Sequence, residues 1–421
     1  MACFRVSFGC GAMPLTLVIV AFVILPRIAA SFSSRNMNSN MPAPVKNVVV
    51  VGGTHGNEYT GVWCIKALDR KRDELKLTFP SLEISTLLGN PEAFYANKRF
   101  INEDLNRAFS YEALHGRKET EELYLDDMTI EARRAQEIDQ IIGPKFIGDS
   151  DHCDVDYNED GSLCRPAADV VIDLHTTTTN MGVTIIIAEG DVLMTRAAAY
   201  ILKKCRGIEA RCLVHTHPNR YVRPNLSSAG THGITIEVGP CPQGVLRHDV
   251  VEKTQEALQA CLQFLQRHNQ EPDDVHSELE AIYANGGDCH VPCFRSARAK
   301  RKGEMSGKIV WPVDPDNENF PLYLVHKRWQ DRDFDLLHEG DPLFVDIEGN
   351  EILYDGSHGS PVHLIFVNEG GYYYSSSGTG IGVAVADKFD LFTGMLPPEA
   401  HQKEAQNDEV NEEEEDFSDL E

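Results

Sequence analysis

None of the chain's 11 cysteines forms a Cys-x-x-Cys pair, and the nearest approach, "CHVPC" from Cys289 to Cys293, has no second pair to complete a zinc knot. Scattered and odd in number, they read as free buried thiols of a reducing compartment. A basic surplus is also missing. The formal net charge is −26, which excludes a general nucleic-acid binder, because such a surface must displace counterions from phosphates. The N-terminal apolar run, Met13 to Leu25, is too short for a membrane span, which needs about 20 residues.

That run suits the apolar region of a signal peptide, with Pro26, Arg27 and the small residues of "IAAS" after it. No acidic residue precedes Glu58, and Ser31 to Asn40 is rich in Ser, Asn and Arg, as in a transit peptide. A third reading starts the protein at Met41. Residues 1–40 are therefore expected to be a leader or dispensable. The chain is cytoplasmic if Met41 is the effective start, and otherwise organelle-targeted or membrane-anchored, with membrane contact only if the segment is retained. The one N-x-[ST] sequon, Asn225 to Ser227, falls near the expected site, where a glycan would obstruct it.

Four segments are expected: this leader, a catalytic domain over 41–268, a smaller β-rich domain over 269–400 and an acidic tail over 401–421. The tail, "NEEEEDFSDLE" at its end, cannot bury apolar surface. From Lys46 to His268 strands and helices alternate. "NVVVVGG", "LEISTLL", "ADVVIDLH", "GVTIIIAEG", "ARCLVH" and "GITIEVG" read as strands. Helices are expected after Asn57 to Lys71, after an N-cap at Thr129 up to Gly143, and from Arg247 to His268. The fold class is α/β with a mostly parallel sheet flanked by helices. Beyond Asn269 the helical signal fades and short strands take over.

The stretch "VVVVGGTHGNEYTG", Val48 to Gly61, invites a phosphate-loop reading. It fails, because the spacing is neither G-x-G-x-x-G nor G-x-x-x-x-G-K-[ST]. What remains is His55 and Glu58 between a strand and a helix, able to face one crevice at the carboxyl edge of the sheet. Hydrolytic zinc takes three protein ligands and keeps a fourth position open, and His2Glu is one of the known sets. "VVIDLH" ends on His175, a suitable third ligand, with Asp173 able to accept a hydrogen bond from a ligand histidine. "ITIEVGP" carries Glu237 near the end of another apolar strand, where a carboxylate is costly unless it has a partner or a task; general base is the task expected. "NKRFINEDLNRAF" adds Arg99, suited to an oxyanion, and Asn106 with Arg107, suited to a carboxylate.

These motifs together, His55-Gly-Asn-Glu58, Asp104 to Arg107, the D-L-H ending at His175, "IEVGPCPQGVLR", "LHEGDPLF" and "IFVNEGGYYY", resemble the aspartoacylase/aminoacylase-3 family. That family sits with the succinylglutamate desuccinylases and has a zinc-carboxypeptidase-like fold. The resemblance covers roughly Val45 to Tyr374. It implies one Zn2+ per subunit on His55, Glu58 and His175, with Glu237 as general base and proton shuttle. Arg99 would polarise the amide carbonyl, Asn106 and Arg107 would grip the substrate carboxylate, and Tyr372 would close the pocket from the second domain. The implied partner is a small N-acyl-L-amino acid; a homo-oligomer is left open by the sequence.

Two positions depart from the pattern. Aspartoacylases carry a substrate-recognising arginine about ten residues before the glutamate, where this chain has Ser227. The segment, "NLS" from Asn225 to Ser227, is more similar to the aminoacylase-3 branch, a resemblance that implies N-acetyl aromatic amino acids and mercapturates as substrates. Arg223 is an alternative cation and keeps N-acetyl-L-aspartate as the second reading. Thr176 replaces the usual asparagine after the zinc histidine. An insertion, Gly148 to Pro166, begins like a calcium loop at Asp156, but its twelfth position is Ala167, so an acidic surface loop is expected. A zinc-binding pseudoenzyme and a peptide-cleaving carboxypeptidase are the rival readings. Retention of Glu237 and Arg99 speaks against the first, because a structural zinc needs neither.

Overall fold

Four valines in a row give a strand no polar side, so it must be buried on both faces. The computed structural model describes residues 41–115, 128–147 and 165–398, apart from 206, 208, 217–218, 287, 302–303, 315–316 and 375–379. The N-terminal apolar segment, the acidic tail and nearly all of the 148–166 insertion, with its calcium-loop start, lie outside the described residues. The valines form β1 (Asn47–Gly52). Val48 and Val50 pack into one core layer with Cys64 and Ile65 of helix α1 (Tyr59–Arg70). Val49 and Val51 face the other way, toward Ala135, Ile138 and Ile142 of α2 (Ile130–Ile142). This is the two-residue alternation of a strand, with both faces apolar.

The other expected strands follow: β2 (Glu83–Leu88), β3 (Val170–Thr176), β4 (Val183–Ala188), β5 (Ala210–His215) and β6 (His232–Val238). β2 and β3 flank β1 in parallel, β6 runs parallel to β3, and β4 is antiparallel to β6 but parallel to β5. The sheet is thus mixed and mostly parallel. It continues into the C-terminal region through β7 (Asp288–Ser296), β8 (Val362–Ile365) and β9 (Ile381–Asp390). Its order is Leu336–Leu337, β8, β9, β7, β5, β4, β6, β3, β1, β2. The C-terminal β-rich region has a core of its own, including Trp311, Trp329, Leu343 and Tyr354.

Three further helices complete the main layer: α3 (Val192–Lys204), α4 (His248–Gln270) and α5 (Pro272–Tyr283). Thr129 caps α2 as expected, its hydroxyl accepting from the Ala132 amide at 3.0 Å. α5 corrects the reading beyond Asn269, where the helical signal was expected to fade. Its start signals are Pro272 in the first turn and Asp273 and Asp274 behind it. The glycine pair after β1 also finds its reason. A Cβ on Gly52 would lie 2.4 Å from the Gly61 carbonyl carbon, so strand and helix backbones touch there, and Gly53 has φ +74°. Close packing explains the pair without a phosphate.

Candidate metal and substrate site

The turn from β1 into α1 is held by the Glu58 amide on the His55 carbonyl (3.1 Å) and the Gly56 amide on the Arg99 carbonyl (3.0 Å). His55 and Glu58 therefore emerge together, at the carboxyl end of β1. β3 brings in Asp173 and His175, and its parallel register with β6 sets Glu237 beside His175. Strand pairing and this one turn thus assemble five of the site's groups.

His55 Nδ1 lies 2.6 Å from Glu58 Oε1, and His175 Nδ1 lies 3.0 Å from Glu58 Oε2. Each ring is backed on its other nitrogen by a carboxylate: His55 Nε2 by Asp104 at 3.0 Å and His175 Nε2 by Asp173 at 2.8 Å. Thr54 Oγ1 donates to Asp173 at 2.7 Å, and the Thr176 amide donates to Glu58 Oε2 at 2.9 Å. Arg99 reaches Glu58 at 3.4 Å and Asp104 at 3.2 Å. All these side chains are buried.

Charge follows that geometry. Burial pushes the Glu58 carboxyl up, but the two imidazoles outweigh it and hold it far below the ordinary range. Burial likewise opposes ionisation of Asp104, and His55 and Arg99 overcome it. Glu237 is the contrast. It opens onto the cavity yet is surrounded by protein, and desolvation, helped by Glu58 and Glu369 against His175 and Arg99, raises it to about 8.

A metal fits this arrangement. The ligand atoms of His55, Glu58 and His175 lie within 4.8 Å of one another. Both histidines turn Nδ1 inward while a carboxylate holds Nε2, the outer support that metal-binding histidines use. Glu58, Asp104, Asp173, Glu237 and Glu369 together also give the surroundings an excess of acid that suits a divalent cation.

A cavity of about 310 Å³ opens over the cluster. The eight residues given a metal, catalytic or substrate-binding task from the sequence, His55, Glu58, Arg99, Asn106, Arg107, His175, Glu237 and Tyr372, all line it. Asn106 Oδ1 accepts from the Leu226 amide at 2.9 Å, which leaves its Nδ2 as the donor. Tyr372 comes from the turn Gly370–Tyr373, and Lys308 Nζ lies 3.5 Å from its ring centroid. A Cβ on Gly371 would meet Arg99 Nη1 at 2.7 Å, so a side chain there would push the guanidinium out of its place between Glu58 and Asp104.

The succinylglutamate desuccinylase/aspartoacylase catalytic domain matches residues 44–156 and 160–265, and the AstE/AspA barrel-sandwich hybrid domain matches 304–380. The chain belongs to this family. It is 32% identical over 345 residues to N-acyl-aromatic-L-amino acid amidohydrolase (carboxylate-forming) A of Danio rerio, covering 82% of this chain and 89% of that protein. It is 34% identical over 334 residues to aspartoacylase of Rattus norvegicus, covering 78% and 90%. Among solved structures, murine aminoacylase 3 matches with a TM-score of 0.64 at 27% identity, covering 82% of this chain and 98% of that one. As a member of the succinylglutamate desuccinylase/aspartoacylase family, the chain is an amidohydrolase acting on non-peptide amide bonds.

Several site residues of this family member were not assigned a task from sequence. Asp104 was visible only as part of a motif; its spacing from His55 gives no hint that they meet. Glu369 accepts from the Thr177 hydroxyl, the Thr178 amide (2.9 Å) and the Gly371 amide (2.8 Å), tying the C-terminal region to the segment after β3. Ser227, read as facing substrate, is buried, takes a hydrogen bond from Asn225 Nδ2 at 2.6 Å and stands outside the cavity lining. Arg223 does line the cavity, and its Nε has no hydrogen-bond partner among the described residues.

Proposed function

We propose that the chain hydrolyses the amide bond of N-acyl-L-amino acids to a carboxylate and the free amino acid, with one zinc ion held by His55, Glu58 and His175. The observation that carries this reading is the pair of inward Nδ1 atoms sharing Glu58, each ring backed by its own aspartate, with Glu237 and Arg99 in the same cavity. When bound, zinc supplies Lewis acidity, making water a stronger acid and polarising an acyl carbonyl. Glu237, set beside His175 by the β3–β6 pairing, takes the proton from the attacking water and returns it to the leaving amine. Arg99, fixed between Glu58 and Asp104, holds positive charge where the oxyanion develops. Asn106 Nδ2 and Arg107 bind the α-carboxylate. Tyr372 closes the cavity over substrate and excludes water.

The preferred side chain is aromatic or thioether. Ile186, Leu213, Val222, Pro224 and Phe366 give the cavity an apolar wall, and the family's acidic-substrate arginine is replaced by a serine that does not reach it. Arg223 favours N-acetyl-L-aspartate as the second reading, because it is a cation lining the same cavity. Amino-acid release by the zinc-loaded protein from N-acetyl-tyrosine, N-acetyl-S-benzyl-cysteine and N-acetyl-aspartate decides between them. Faster release from the first two is expected. Preference for the aspartate compound would transfer side-chain recognition to Arg223, and silence on all three would return the pseudoenzyme.

A further inference from the structure

Lys145 follows α2 and its side chain is completely buried. A lysine in such a place is costly, and a methionine would fill the space more cheaply. No carboxylate takes its ammonium by hydrogen bond among the described residues, since Asp139 Oδ1 is spent on the Lys145 backbone amide at 2.9 Å. Nζ donates instead to two main-chain carbonyls, that of Phe109 at 2.6 Å and that of Arg223. These carbonyls belong to the two loops that line the substrate side of the cavity. Phe109 is two residues beyond Arg107, and Arg223 lines the cavity between Val222 and Pro224. The same loops meet again through the Phe109 amide on the Pro224 carbonyl (3.1 Å) and the Leu226 amide on Asn106 Oδ1 (2.9 Å).

We propose that Lys145 is a positioning residue that staples the carboxylate-binding loop, with Asn106 and Arg107, to the side-chain loop around Arg223, and so fixes the distance between the two recognition elements. The proposal rests on the N-acyl amino acid reading of the site. Burial, reinforced by Arg223 and Arg220, pushes the lysine down to about 7. Both the ammonium and the amine carry the two N–H bonds that two carbonyls require, so the staple holds in either form. Lys145→Met removes both bonds and keeps the bulk. Freed from the staple, the loops lose their fixed spacing, and misplacement by about an ångström is enough to weaken a productive complex.

The test uses the zinc-loaded full chain, wild type against Lys145→Met, with N-acetyl-tyrosine kinetics normalised to bound zinc and hydrogen exchange read on the Phe109 and Leu226 amides. The expected result is a KM raised by about tenfold with kcat nearly kept, and faster exchange at both amides while the β1 and β3 amides stay protected. A merely structural lysine would lower the melting temperature and the active fraction and leave KM alone. Unchanged KM together with unchanged exchange at the two amides would overturn the staple. Should the methionine variant not fold, Lys145→Gln, whose amide NH2 still offers donors to a carbonyl, is compared with wild type instead, and a smaller rise in KM with faster exchange at both amides is expected; no change in either would overturn the staple. If the wild type releases no amino acid, the function falls, and the exchange rates alone still decide the staple.

Discussion

On one side of the cavity the functional groups stand on strand ends; on the other they stand on loops. His55, Glu58, His175 and Glu237 leave β1, β3 and β6 in a register fixed by parallel hydrogen bonding, and both histidines and Glu58 take at least two partners. Arg223 and Asn225 stand on a loop with 3-10 turns at Arg220–Val222 and Leu226–Ala229, tied to Asn106 and Phe109 by a few single bonds. The first side tolerates no rearrangement, because each group is the anchor of its neighbour. The second can change residue by residue without disturbing the sheet. On the proposed reading the metal and the general base belong to the strand side, while the oxyanion cation Arg99 and the groups that choose substrate belong to the loop side.

The sharpest way to break this division is to damage the strand side without touching metal. Glu237→Gln is expected to keep zinc, measured by metal analysis, and to lose turnover by roughly a hundred- to ten-thousand-fold. Full activity in that variant would remove Glu237 from its assigned task. Next come the outer carboxylates. Asp104→Asn and Asp173→Asn each remove the anion behind one histidine and are expected to weaken zinc affinity about 10- to 100-fold in a competitive chelator titration. Equal affinity to wild type would mean that the rings are oriented by packing alone.

Legibility in the sequence divides along the same line. The valine run, the D-L-H strand end and the glutamate within "ITIEVGP" carry their own local signals, so the strands and the four groups on them were readable without coordinates. Asp104 meeting His55, Glu369 meeting Thr177, and Lys145 meeting two carbonyls are contacts across long stretches of chain, which periodicity does not encode. Ser227 shows the limit on the loop side. Counting back from Glu237 assumes a fixed geometry, and the 3-10 turn at Leu226–Ala229 turns that position inward. α5 was missed for a different reason: directly after a long helix, its short apolar stripe, Val275 and Leu279, and its proline and aspartates do not stand apart from what precedes them.

A smaller effect is expected on the loop side. Arg223→Gln should leave zinc content and the kcat for N-acetyl-tyrosine nearly unchanged while lowering any residual turnover of N-acetyl-aspartate, a change in preference read from kcat/KM ratios. A large loss on both substrates would make Arg223 part of the general machinery and blur the division.

The smallest effect lies outside both sides and sets their baseline. His276 is buried between Arg196 and His268, and burial with the Arg196 charge pushes it down to about 3. Its folded form stays neutral where the unfolded chain, at an ordinary value of 6.5, takes a proton. The unfolded state then binds more protons, so stability falls as pH drops from about 6.5 toward 3. Thermal melts across that window should flatten in His276→Phe, and an unchanged slope would assign the acid loss to other groups.

The proposed deacylation depends on zinc held by His55, Glu58 and His175. Metal-free full-length protein titrated with zinc, with amino-acid release from N-acetyl-tyrosine followed at each addition, tests it most directly. Release is expected to rise linearly and saturate at one zinc per chain, with none in His175→Ala at the same loading. Release from the metal-free protein at the saturated rate, or saturation unaltered in His175→Ala, would contradict it.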